Sequence, residues 1–268
     1  KIRNVGIFAH IDAGKTTVTE RCLALAGVVR RAGCVDDGTT VMDFLPAERE
    51  RGITISAAAI TFPWHGHHTP VNIALIDTPG HVDFSVEVNR SVAVLDGAVL
   101  VVDSVAGVQA QTETVWRAMT AQGKSHESLP CLALINKMDK EGCHFGNAIA
   151  SLRQKLPGAN PIPIQIPLFR TGSASSAGSW AAQQGIVAVS VDKPMTKTGG
   201  FVGVIDLIYM RAIVWPETSA VDNVEACVPD VINLLGKNGE PIHQGCSVTQ
   251  IAFESRHELL EALAECDE

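Results

Sequence analysis

The sequence predicts an α/β fold: a doubly wound, mostly parallel sheet, with a less regular region behind it. Three observations carry that expectation. Short apolar runs alternate with stretches of helical spacing over roughly the first 150 residues. A glycine-containing loop, "AHIDAGKTT" (9–17), follows the first apolar run and opens the first helical stretch. Two further polar motifs, "DTPGH" (77–81) and "NKMD" (136–139), each close an apolar run of strand length.

Taken in order, "IRNVGIFAH" reads as a buried strand and "TTVTERCLALAGVV" as a helix, with a polar, acidic stretch at 35–51 beyond it. "ITISAAAITF" and "VNIALID" read as strands joined by a hairpin. Its tip, with His65, His67 and His68 among turn residues, favours an exposed loop over a metal site. "VDFSVEVNRSVAVL" reads as a helix, "GAVLVVDS" as a strand, "QTETVWRAMTAQ" as a helix and "LPCLALINKMD" as a strand, followed by a helix from Phe145 to Leu156. Residues 170–199 are rich in Ser, Ala, Gly and Gln, a composition that buries little, so a loop or disordered insert is expected there. "GFVGVIDLIYMRAIVW" resumes as a β-hairpin and "SRHELLEALAE" as a helix. Two regions are expected, 1–155 and 156–268, the second carrying the low-complexity insert.

Bulk composition narrows the function. The net charge of −8 argues against a general nucleic-acid binder, so no DNA partner is expected and any RNA must be met locally. No apolar run reaches eighteen residues, so no membrane-spanning helix is predicted. Seven cysteines without a C-x-x-C pair read as reduced thiols.

Chemistry enters with the motifs. In the first, Gly14 lets backbone N–H groups approach phosphates, Lys15 reaches the β- and γ-phosphates, and the Thr16 hydroxyl suits Mg²⁺. Asp12, Ala13 and Thr17 complete that loop. Alanine at position 9 replaces the usual first glycine by a single methyl group. In the second, Asp77 stands at a strand's carboxyl end, where it can hold Mg²⁺ through water, and Gly80 can offer its N–H to a γ-phosphate. In the third, Asn136, Lys137 and Asp139 follow a strand, and the Asp139 carboxylate can accept from the ring N–H and the exocyclic amine of guanine. Adenine lacks that donor pair, so the predicted nucleotide is GTP, with GDP as product.

"AHIDAGKTT", "ERERGITI", "DTPGHVDF" and "NKMD" together resemble the translational GTPases of the elongation factor G group, over roughly the first 150 residues and again near "GFVGVIDLIYMRAIVW". The resemblance implies a GTPase whose Thr54 reaches Mg²⁺ and the γ-phosphate only in the GTP state, and whose His81 orients the attacking water between Ile11 and Ile53. Thr16 and Thr54 are then the metal-facing hydroxyls, and His81, Lys15 and Thr54 the catalytic set. It also implies that 1–155 is the GTP-binding domain and 156–268 part of an inserted α/β subdomain, and it implies a ribosomal partner, with large-subunit RNA at the factor-binding site and ribosome recycling factor as a further partner. "VDDG", "DF" and "ERERGIT" are more similar to the ribosome-releasing mitochondrial members than to the translocating ones. Mitochondrial recycling after termination is the function so implied, ahead of a cytoplasmic or plastid setting. Translocation in elongation, and a non-catalytic truncated module, stay open. The group's closing Ser-Ala turn does not appear after a suitable strand, so a fragment of a longer chain is expected.

Overall fold

The computed structural model describes residues 1–30, 32–33, 40, 58–64, 70–78, 90–121, 129–171, 179–189, 191, 200–216, 228–236, 238–243 and 245–266. Its contacts divide the chain into two compact units, Lys1–Lys137 with Gln154–Pro157, and Met138–Arg153 with Gly158–Glu268.

The first unit is built on strands β1 (Ile2–Ala9), β2 (Ala58–Trp64), β3 (Val71–Asp77), β4 (Gly97–Asp103) and β5 (Cys131–Asn136), in the order β2-β3-β1-β4-β5. β1 pairs parallel with β3 and β4, β4 parallel with β5, and only β2 runs antiparallel, as the hairpin partner of β3. Helices α1 (Lys15–Leu25) and α2 (Ala110–Ala121) belong to this unit. The apolar run of β1 explains its central place. Ile7 and Ala9 point to one face and join Leu23, Phe62, Leu75 and Val101 in a core cluster. Phe8, on the other face, is equally buried. Burial on both faces is what a parallel strand demands, and each buried Ile, Leu, Val or Phe side chain contributes about 1.5–3 kcal/mol. β5 closes the order at its other end, and its Leu132 and Leu134 are exposed.

The register aligns the carboxyl ends. Ile7 lies beside Asp77, Ala9 beside Val101, and Asp103 beside Asn136. The loops that follow β1, β3, β4 and β5 therefore leave from one rim of the sheet, where open α/β sheets bind their ligands.

In the second unit, β6 (Gln165–Arg170), β7 (Ile186–Ala188), β8 (Phe201–Asp206), β9 (Arg211–Val214) and β10 (Asp230–Asn233) form an antiparallel sheet ordered β10-β9-β8-β6-β7. The expected hairpin is β8–β9. Gly203 lets those strands approach, since a Cβ there would stand 2.1 Å from the Ile213 carbonyl oxygen. Helix α3 (Phe145–Lys155) precedes the sheet and α5 (Ser247–Cys266) ends the chain. α5 buries Val248, Ile251, Ala252, Ser255 and Leu259, a stripe at helical spacing.

The insert corrects a sequence expectation. Within 170–199, short helix α4 (Trp180–Gln184) and strand β7 replace the expected loop over 179–188. Ala181, Ile186 and Val189 are buried. Ser179 caps α4 by accepting from the Ala182 N–H, and left-handed Gly185 ends it. Local capping and pairing with β6 supply what the composition alone did not reveal. Residues 172–178, 190 and 192–199 lie outside the described residues, as do the hairpin tip at 65–69 and most of the helix expected over 82–95, of which Arg90–Val92 is described and helical. Cys22, Cys131, Cys143 and Cys246 are free thiols, and burial pushes Cys131 up to about 11. No helix among the described residues is long and apolar enough to cross a membrane.

Candidate functional site

The chain leaves β1 at Ala9 and enters α1 at Lys15, so the loop between them must reverse direction in five residues. It does so through two left-handed positions, Asp12 at φ 59° and Gly14 at φ 96°. Asp12 is exposed and Ala13 buried. Gly14 is the N-cap of α1 and supplies no side-chain cap, and the first turn carries no acidic residue. No side chain of α1 itself caps these first-turn N–H groups, and a helix N-terminus with its dipole suits an anion.

Lys15 turns inward. Its Nζ lies 2.5 Å from Oδ1 of Asp77, and both side chains are buried. Asp77 is delivered to that point by the register of β3 against β1. Thr78 fixes the turn that follows by donating from Oγ1 to the Ile7 carbonyl at 2.8 Å. Thr16 is half-buried and Thr17 exposed. Thr19, one turn on, donates to the Lys15 carbonyl.

The end of β5 closes on the same loop. Asn136 donates from Nδ2 to the Ala13 carbonyl at 2.8 Å, and a Cβ on Gly14 would stand 2.3 Å from that Nδ2. Lys137, itself left-handed at φ 60°, donates from Nζ to the Asp12 carbonyl. Asp139 is exposed in the turn beyond. Gly80, His81, Thr54 and Ile53 lie outside the described residues.

Three residues absent from the sequence reading join the rim. Asp103 ends β4 and holds Lys137 Nζ at 2.6 Å. Ser104 donates from its N–H to the Asn136 carbonyl and from Oγ to the Lys137 carbonyl, each at 2.9 Å. Gln111, in the first turn of α2, accepts the Ile11 N–H at 3.1 Å. A signal existed for Asp103: "GAVLVVDS" repeats the pattern of "NIALIDT", an apolar run delivering an aspartate to its carboxyl end. Burial opposes ionisation of Asp103, but the Lys137 ammonium and the Val105 and Ala106 N–H groups outweigh it and hold the carboxyl below the ordinary range.

A phosphate loop between β1 and α1, a buried lysine on the β3 aspartate, and an Asn-Lys corner locked to the loop define a P-loop GTPase fold. The elongation factor Tu GTP-binding domain matches residues 1–266, and the chain belongs to that family. It is 40% identical over 274 residues to the mitochondrial ribosome-releasing factor 2 of Candida albicans, covering 100% of this chain and 29% of the relative. Against elongation factor G 2 of Streptomyces coelicolor the identity is 47% over 216 residues, 81% of this chain and 26% of the relative. A crystal structure from Thermus thermophilus superposes with a TM-score of 0.70 at 25% identity, over 100% of this chain and 32% of that one. The chain thus spans less than a third of these relatives' length.

Proposed function

We propose that the protein is a GTP-hydrolysing translation factor that disassembles mitochondrial ribosomes after termination, with residues 1–155 as its nucleotide-binding domain and 156–268 as part of an inserted subdomain. The observation that carries the GTPase reading is the convergence of Lys15, Asp77 and Asn136 on one loop at the carboxyl rim. The recycling role rests on similarity to ribosome-releasing factors across the whole chain. Translocation is the second reading, favoured by the comparable identity to elongation factor G proteins.

In this reading, the amides of 12–17 and the Lys15 ammonium bind the β- and γ-phosphates and offset charge that develops on them. Asn136 braces the loop, while Asp139 accepts from the guanine edge. His81 orients the attacking water beside Ile11 and Ile53, and Gly80 donates its N–H to the γ-phosphate. Oxygen donors from Thr16, Thr54 and Asp77 suit a hard divalent cation. Mg²⁺ held there would neutralise charge on the phosphate oxygens. Thr54 belongs to a loop that loses its hold when the γ-phosphate leaves. Large-subunit ribosomal RNA is the partner that brings His81 into place, with ribosome recycling factor acting alongside.

Nucleotide titration tests the reading. Micromolar or tighter GTP binding without competition from ATP is expected, and absence of binding would favour a non-catalytic module. A light-scattering assay on post-termination mitochondrial ribosomes, run beside a translocation assay, separates recycling from elongation.

A further inference from the structure

We infer that Asp103 is a positioning residue for nucleotide retention, acting through Lys137; this rests on the GTPase reading above. Lys137 carries a flexible four-carbon stem, and an unrestrained ammonium on such a stem would favour water. Here it is held between two acceptors from distant segments, the Asp12 carbonyl of the phosphate loop and Asp103 Oδ2 at 2.6 Å. Asp103 is itself immobilised. Its Oδ1 accepts from the Val105 and Ala106 N–H groups at 2.8 and 3.2 Å, and its carbonyl accepts from Gly107. Ser104 adds two bonds to the backbone of Asn136 and Lys137, which fixes the left-handed corner.

The result is a chain of contacts from a rigid strand end to the outer edge of the phosphate loop. Asp103 aims Lys137, Lys137 holds the Asp12 carbonyl, and Asn136 holds the next carbonyl along. The left-handed conformation costs energy at non-glycine Asp12, and such a backbone persists only where surrounding contacts hold it. Removing the charge at position 103 frees Lys137 toward solvent and releases the loop that must close over phosphates. A bland role is also open to Asp103, since its Oδ1 merely caps the turn after β4. Asp103→Asn separates the two. The amide oxygen keeps the turn, while an N–H₂ donor replaces the oxygen facing Lys137.

The test is the release rate of a fluorescent GDP analogue by stopped flow, in the protein, D103N, K137M and the double variant. D103N is expected to speed release about ten-fold, the range for losing a charge-assisted hydrogen bond, and by less than about two-fold when Lys137 is already Met. A D103N rate within about two-fold of the parent overturns the inference, and so does an equal acceleration in both backgrounds, which would assign Asp103 to its turn alone. If D103N does not fold, D103S, whose hydroxyl still accepts from Val105, is read by the same thresholds. Failure of the unsubstituted protein to bind GDP or GTP would instead overturn the GTPase reading and this inference with it.

Discussion

Lys15 and Asp77 stand 62 positions apart in the chain and meet at 2.5 Å in a buried ion pair. Lys15 Nζ and Asp77 Oδ1 join the first turn of α1, into which the phosphate loop leads, to the end of β3, the strand paired with β1.

Breaking that pair has a thermodynamic consequence before any nucleotide is added. Asp77→Ala removes the carboxylate while Lys15 stays buried, and breaking a buried pair from one side costs about 3–5 kcal/mol. Urea unfolding of the nucleotide-free protein should register a loss in that range. A loss under about 1 kcal/mol would mean that the pair behaves like a solvent-exposed one.

Gly14 is constrained twice. Its φ of 96° disfavours any L side chain, and an added Cβ would stand 2.3 Å from Asn136 Nδ2. Gly14→Ala should therefore destabilise the protein by more than about 1 kcal/mol and displace the Asn136 amide from the Ala13 carbonyl. Nucleotide affinity falls as well. Unchanged GTP affinity in a folded Gly14→Ala protein would refute the role given to this loop.

The pH dependence follows from the depressed carboxyl of Asp103. Its folded pKa lies below the unfolded value, near 4 for an aspartate. The stability it adds is fully present above the unfolded value and is lost as pH falls through the folded one. Parent and D103N should thus differ by a constant amount near neutrality and converge in acid, below pH about 4. Unfolding curves that stay parallel into strong acid would contradict this.

The proposed mechanism assigns His81 to the hydrolysis step and gives it no part in binding the base or the phosphates. His81→Ala should leave GTP affinity nearly unchanged and cut ribosome-stimulated hydrolysis by about 100-fold or more. Severe loss of GTP binding in that variant would remove His81 from the water-orienting role.

Much of the first unit was legible because each piece encodes its own geometry. Apolar runs of strand length, a glycine loop and a helical period specify strand, turn and helix locally, and their alternation implies parallel pairing with helices between. The helices at 110–121 and 145–155 and the β8–β9 hairpin stand within a few residues of the predicted positions. Strands β7 and β10 escaped notice because three or four residues carry too little periodicity to announce a strand, and their existence depends on neighbours that pair with them.

By itself, then, the sequence determined the class of fold and the three motifs, since backbone conformation around Gly14 and the donor and acceptor chemistry of Lys15, Asp77 and Asn136 are local properties. Only the tertiary structure decided which distant groups meet. Strand register placed Asp103 opposite Asn136, and the Lys137 side chain then joined Asp103 to Asp12, which precedes that lysine by 125 positions. Contacts of that kind arise from the pairing of whole strands, and no stretch of chain read alone contains them.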